Sequence, residues 1–152
     1  MMEFVYDDGG RSKYFKGKNA GDCVTRAIAI ATGKDYLEIY NDLNELAKKE
    51  RTGKKKKKVS NARTGVFPKT SRKYLASLGW KWIPCSKIGV GCTMHLNENE
   101  VPKGTIICKL TKHLVCVKDG VIHDTYNSSQ KNTDEDGNFI DRCVYGYYVK
   151  EG

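Results

Sequence analysis

At 152 residues, 39% apolar and 30% charged, the chain is long enough to bury a core and too apolar to stay disordered. No run approaches the roughly 18 apolar residues of a membrane span, and the opening MMEFVYDDGG lacks both the basic and the apolar region of a secretory signal. A cytoplasmic protein with its six cysteines reduced is the expectation. The net charge is +9, but Lys48–Lys58 alone holds eight basic residues and one acidic, which leaves only +2 for the rest. That distribution argues against a domain-wide nucleic-acid face. The run reads first as a solvated, self-repelling loop, with weak polyanion contact through Lys54–Lys58 as the alternative.

Residues 1–18 read as irregular or weakly extended, broken by Gly9, Gly10 and Gly17. A first helix is predicted over Asp22–Thr32. Val24, Ala27, Ile28 and Ala31 fall at i, i+3, i+4 and i+7, with Asp22 as the N-cap and Gly33 as the stop. A second helix opens on Asp35 and Glu38, a capping-box pattern, and buries Tyr36, Ile39, Tyr40, Leu43 and Leu46. The basic loop follows at about 48–60, then a third helix over Lys69–Leu78 that Gly79 ends.

From there the pattern turns to strands. Trp80–Ile83 runs to Pro84, and Thr105–Leu110 is a β-branched stretch after a turn. His113–Val117 and Val121–Tyr126 flank Asp119-Gly120, a two-residue hairpin signal. Arg142–Lys150 closes the chain. Helices first and antiparallel strands later make a single α+β domain.

The hairpin fixes a register. With Asp119 and Gly120 in the turn, Lys118 opposes Val121, Cys116 opposes His123, Val115 opposes Asp124 and His113 opposes Tyr126. Alternation then puts His113 and Asp124 on one face, diagonal neighbours roughly 5–7 Å apart at Cβ, and turns His123 and Asn127 to the other. An imidazole held by a carboxylate is the base half of a nucleophilic triad. Cys23, at the mouth of the first helix, is the nucleophile that matches it: positive partial charge at a helix N-terminus favours the thiolate, and the free N–H groups there suit an oxyanion. Alone, a cysteine in this position is more often buried packing.

Other groups compete for attention. Cys85, Cys92 and His95 lie in one stretch, CSKIGVGCTMH, without the paired spacing or the fourth ligand of a structural zinc site, so no metal is expected. Cys108, Cys116 and Cys143 read as core residues of strands. Phe67, Trp80, Trp82, Tyr145, Tyr147 and Tyr148 read as core more than as cleft lining.

Taken in order, GDCVTRAIAIATG and HLVCVKDGVIHDTYN resemble the papain-like cysteine peptidase superfamily, closest to bacteriocin-processing peptidase domains of exporters and to small phage-encoded or bacterial proteins of this type. The resemblance implies a helix-borne Cys23 packed on an antiparallel sheet that presents His113 and Asp124. It also implies a peptide, protein or amide substrate, an acyl-enzyme, no cofactor, and a bacterial or phage-infected cell as the setting. Such enzymes place a Gln five or six residues before the nucleophile. Here Gly17 stands six before, Gln130 is the only Gln, and Asn19 is the nearest donor amide. Losing one oxyanion donor costs about 10²–10³ in rate, so the alternative is a catalytically weak scaffold that serves a phage or mobile element as a binding or inhibitor protein.

Overall fold

A computed structural model describes residues 2–16, 21–54, 58–86, 89–133, 135–137 and 139–151. In chain order it has β1 (Glu3–Tyr6), a 3-10 turn at Arg11–Lys13, α1 (Cys23–Thr32), α2 (Tyr36–Ala47), α3 (Pro68–Ser77), β2 (Trp80–Pro84), β3 (Thr105–Leu110), β4 (His113–Lys118), β5 (Val121–Asp124), β6 (Gln130–Thr133), β7 (Phe139–Asp141) and β8 (Gly146–Lys150). Six strands form one sheet in the order β1-β5-β4-β3-β8-β2, and β6 pairs with β7 apart from it. The class is α+β with a mixed sheet. No helix among the described residues is long and apolar enough to cross a membrane.

The predicted apolar stripes are what the core is made of. Val24, Ala27 and Ile28 of α1, Ile39 and Leu43 of α2, and Tyr74 and Leu75 of α3 pack with Ile107, Leu114 and Tyr148 of the sheet. A second cluster joins Ile106, Cys108, Val115, Val117 and Ile122 to Leu96, Val101 and Val144 from the loops. Several of these side chains are fully excluded from water, and each contributes roughly 1.5–3 kcal/mol by burial. The sheet is thus covered on both sides, which explains why β3 and β4 are apolar almost throughout. Gly146 opens β8 because a Cβ there would stand 2.3 Å from the Trp82 ring.

Several expectations need correction. Within the segment read as irregular or weakly extended, residues 3–6 are a regular strand: β1 pairs in parallel with β5, Glu3 with Val121 through Tyr6 with Asp124. All four of its side chains are exposed, so a strand held at the sheet edge by its backbone carries no apolar alternation to read. The closing strand begins at Gly146 rather than Arg142, and Cys143 is not a strand core residue. It forms an isolated bridge with His95 that brings its Cα to 5.9 Å from that of Cys92, and the two are joined as a disulfide. The six cysteines are therefore not all reduced. Asp35 and Glu38 do not form a capping box: Asp35 stands at the N-cap without a side-chain cap bond and accepts from the Tyr14 hydroxyl at 2.5 Å.

Of the basic run, Lys54 and Lys58 are exposed, and positions 55–57 lie outside the described residues. The run is anchored at its base by Glu50, whose carboxylate accepts from Ser60 N at 2.6 Å, Ser60 Oγ at 2.5 Å and the Thr70 hydroxyl.

Candidate active site

The hairpin turn has the backbone its sequence calls for. Asp119 and Gly120 both have positive φ, 48° and 79°, as a type I′ turn requires. The ladder runs from Lys118–Val121 to Cys116–His123. It stops there, so Val115 and Asp124, expected to oppose each other, are not ladder partners; Asp124 pairs with Tyr6 of β1 on the other edge of β5, and the strand ends with it. His113 and Tyr126 are thus not ladder partners, although their rings lie 5.4 Å apart. His113 is the first residue of β4 and Asp124 the last of β5, so both stand at the same end of an antiparallel pair.

At that end α1 packs on β4 and brings its first residue, Cys23, against the sheet. His113 Nε2 donates to Asp124 Oδ2 at 2.6 Å. An ionised carboxylate only accepts, so the proton is on Nε2 and Nδ1 is the nitrogen left for the thiol. Cys23 lines the same cleft as His113 and Leu114, near enough for the His113 ring and the Leu114 backbone N–H to act on its thiol. Cys23, His113 and Asp124 therefore lie together at one end of the sheet, with His113 bonded to Asp124. Asn19, the expected oxyanion donor, lies outside the described residues. His123 faces away, toward Asp7 at 3.9 Å.

Sequence reasoning missed Arg26. Its guanidinium, buried one turn into α1, donates to Asp124 Oδ1 at 3.1 Å and to Asp22 Oδ1. Asp22 is not the side-chain N-cap expected of it. Its carboxylate faces inward and also accepts from Arg11 Nη1 at 2.9 Å and the Tyr36 hydroxyl at 2.6 Å. Asp124 collects two further donors, Thr125 N at 2.7 Å and Ser128 Oγ at 3.0 Å. Two buried carboxylates on either side of one guanidinium make a closed network, and Asp124 has no freedom to turn away from His113. The i, i+4 spacing of Asp22 and Arg26 was a signal for this pair, but one that ordinarily means an exposed helix contact.

The helix mouth is shaped by close approach. A Cβ on Gly21 would stand 2.6 Å from the Thr64 carbonyl oxygen. That crossing loop is pinned by Thr25 Oγ1, which donates to Ala62 O at 2.7 Å, and by Ala62 N, which donates to Asn44 Oδ1 at 2.8 Å. With Asp22 turned inward, no side-chain cap covers the first N–H groups of α1.

Charge is redistributed along the row. Burial alone would push the Cys23 thiol up, but the hydrogen bond and charge of His113, with Leu114 N–H and Arg26, hold it below its usual 9.0. Burial likewise opposes charge on His113, yet Asp124 and Cys23 together raise it above 6.5. Asp124 is held below 3.8 because His113, Thr125 N–H and Arg26 outweigh its burial. Cys116 shows the contrast: desolvation, with no such partner, drives it up to about 12.

Above Cys23 opens a cleft of about 540 Å³, walled by Thr64, Val66 and Pro68 on one side and Lys109, Lys112 and Tyr126 on the other. Trp80 and Tyr148 are in the core as expected, while Tyr145 is exposed and lines, with Trp82 and one side of Tyr148, an adjoining recess of about 190 Å³. Cys92 is committed to Cys143 and His95 to Glu100, at 3.2 Å, so the CSKIGVGCTMH stretch does not converge on a metal. No group of three or more His, Cys, Asp or Glu side chains among the described residues is arranged to hold a metal ion. No family model, curated protein or solved structure matches this chain.

Proposed function

We propose that the chain is a papain-like cysteine hydrolase or acyltransferase in which Cys23 is the nucleophile, His113 the general base and Asp124 the group that orients it. The observation that carries this reading is the placement of Cys23 and His113 in the lining of one open cleft, with His113 held by Asp124 Oδ2 at 2.6 Å. A lowered thiol beside a raised imidazole is the pattern of a thiolate–imidazolium pair.

In the proposed cycle the Cys23 sulfur attacks the substrate carbonyl carbon, and a C–S bond forms as the carbonyl π pair moves onto oxygen. The uncapped N–H groups of the first turn of α1, which need no side-chain amide, face the developing oxyanion. The tetrahedral adduct collapses, the C–N bond breaks, and the amine leaves with the proton held on His113. Water or a second amine, deprotonated by His113, then attacks the thioester and frees the thiol. Asp124 does not take the proton; it keeps the ring in one tautomer and stabilises the imidazolium.

Labelling with a thiol-directed acyl probe at neutral pH tests the proposal. Wild type acquires one label on Cys23, and Cys23→Ala acquires none. Absence of labelling on Cys23 beyond that of the other thiols removes the nucleophile and leaves the binding-scaffold reading in its place.

A further inference from the structure

Beside the thiol, the cleft has a charge of its own. Among the described residues its lining includes Arg11, Arg26, Lys109 and Lys112 and neither Asp nor Glu. The arginines are already matched, Arg11 to Asp22 and Arg26 to Asp22 and Asp124. The lysines are not: neither ammonium reaches a carboxylate among the described residues. The average charge of the domain does not explain this, since outside Lys48–Lys58 the chain carries only +2.

The two lysines are placed by the same strands that place the base. Lys109 on β3 opposes Leu114, which lines the cleft beside Cys23. Lys112 directly precedes His113 in the two-residue turn between β3 and β4, and its φ is 54°. That is the left-handed region that Gly or Asn occupies at least cost. Lysine held there is the kind of outlier that collects at functional sites. Lys109 also borders the recess formed by Trp82, Tyr145 and Tyr148, which Arg72 shares, so it lines both the cleft of the thiol and a largely apolar pocket.

Resting on the reading of Cys23 as a nucleophile, we infer that the cleft selects an acidic acyl donor, a peptide whose carboxylate side chain pairs with Lys109 and Lys112 next to the scissile carbonyl. A neutral donor gains nothing from these lysines, and a basic one is repelled. The apolar recess beyond Lys109 would receive a neighbouring side chain of the same peptide.

Alkylation with two small probes tests this without a known substrate. Iodoacetate and iodoacetamide differ by one charge and react through the same displacement at carbon with loss of iodide. The iodoacetate-to-iodoacetamide rate ratio at Cys23, divided by the same ratio for the uncharged N-acetylcysteine amide, reads the charge of the cleft and not the reactivity of the thiol. We expect a normalised ratio of about five or more at low salt, the size of one nearby unit charge in water, falling toward one in Lys109→Gln/Lys112→Gln and in 0.5 M salt, where the screening length shrinks to about 4 Å. Lys81→Gln, exposed on β2 and outside the cleft, should keep the wild-type ratio. A wild-type ratio near one overturns the inference, as does a ratio unmoved by the double substitution or equally lowered by Lys81→Gln. Slow iodoacetamide alkylation with a high ratio would instead count against the nucleophile alone, so the two failures are told apart.

Discussion

His113–Asp124 and His95–Glu100 are both histidine–carboxylate pairs, 2.6 and 3.2 Å long, and each has a cysteine close by in the fold. Their surroundings are opposite. The His113 and Asp124 side chains are 8% and 3% exposed, those of His95 and Glu100 43% and 36%. Cys23 is a free thiol, while Cys92 and Cys143, beside His95, are spent in a disulfide. The same residue types therefore make a buried, closed network in one place and a surface fastening in the other. The difference lies in burial together with a second cation, Arg26, that allows Asp124 to stay ionised out of water.

If that contrast is sound, the largest effect belongs to the base. His113→Ala should slow alkylation or acylation of Cys23 at neutral pH by about 10²–10⁴ and shift the apparent thiol pKa upward, since His113 is the main group that lowers it. His95→Ala and His123→Ala should leave the rate profile against pH where it was. Next comes the buried cation. Arg26→Ala removes the buried cation that Asp22 and Asp124 share, leaving Asp22 to Arg11 and Asp124 to His113, and should cost about 3–5 kcal/mol in urea unfolding. A smaller loss, with Arg26→Lys restoring most of it, would mean that Asp22 and Asp124 find other partners. On the surface side, Cys92→Ser opens a link across 51 residues and should cost about 2–4 kcal/mol while Cys23 alkylates as before.

Much of this was legible in the sequence, and for identifiable reasons. Asp119-Gly120 fixed a turn whose type admits one register, and from that register the pairing of His113 with Asp124 followed before any coordinates. The helical stripes were read from spacing alone. What escaped was anything carried by the backbone or by tertiary context. β1 has exposed side chains and no periodicity. The Cys92–Cys143 link depends on a loop folding back through a single bridge at His95. Arg26 sits in an apolar helix where a lone cation reads as a snorkelling surface residue; only the arrival of Asp124, 98 positions later in the chain, gives it a buried role.

The finest test of the contrast is acid titration of stability. Both carboxylates are depressed, for different reasons: Asp124 by His113, Thr125 N–H and Arg26 against its own burial, and Glu100 first by the His95 backbone N–H. For either one the folded state binds its proton less readily than the unfolded chain. Its contribution to stability is therefore present above the ordinary value, 3.8 for Asp and 4.5 for Glu, and is lost as pH falls through the depressed one. Asp124→Asn should lower stability at pH 7 by about 1.5–3 kcal/mol, the worth of hydrogen bonds to a charged group, and flatten the decline below pH 3.8. Glu100→Gln should do the same in sign but amount to under about 1 kcal/mol, because solvent screens a pair this exposed. Urea midpoints between pH 2 and 7 for the two variants would measure both limbs. Equal flattening in the two would mean that burial and Arg26 add nothing to the His113–Asp124 pair, and the distinction between the two sites would fall with it.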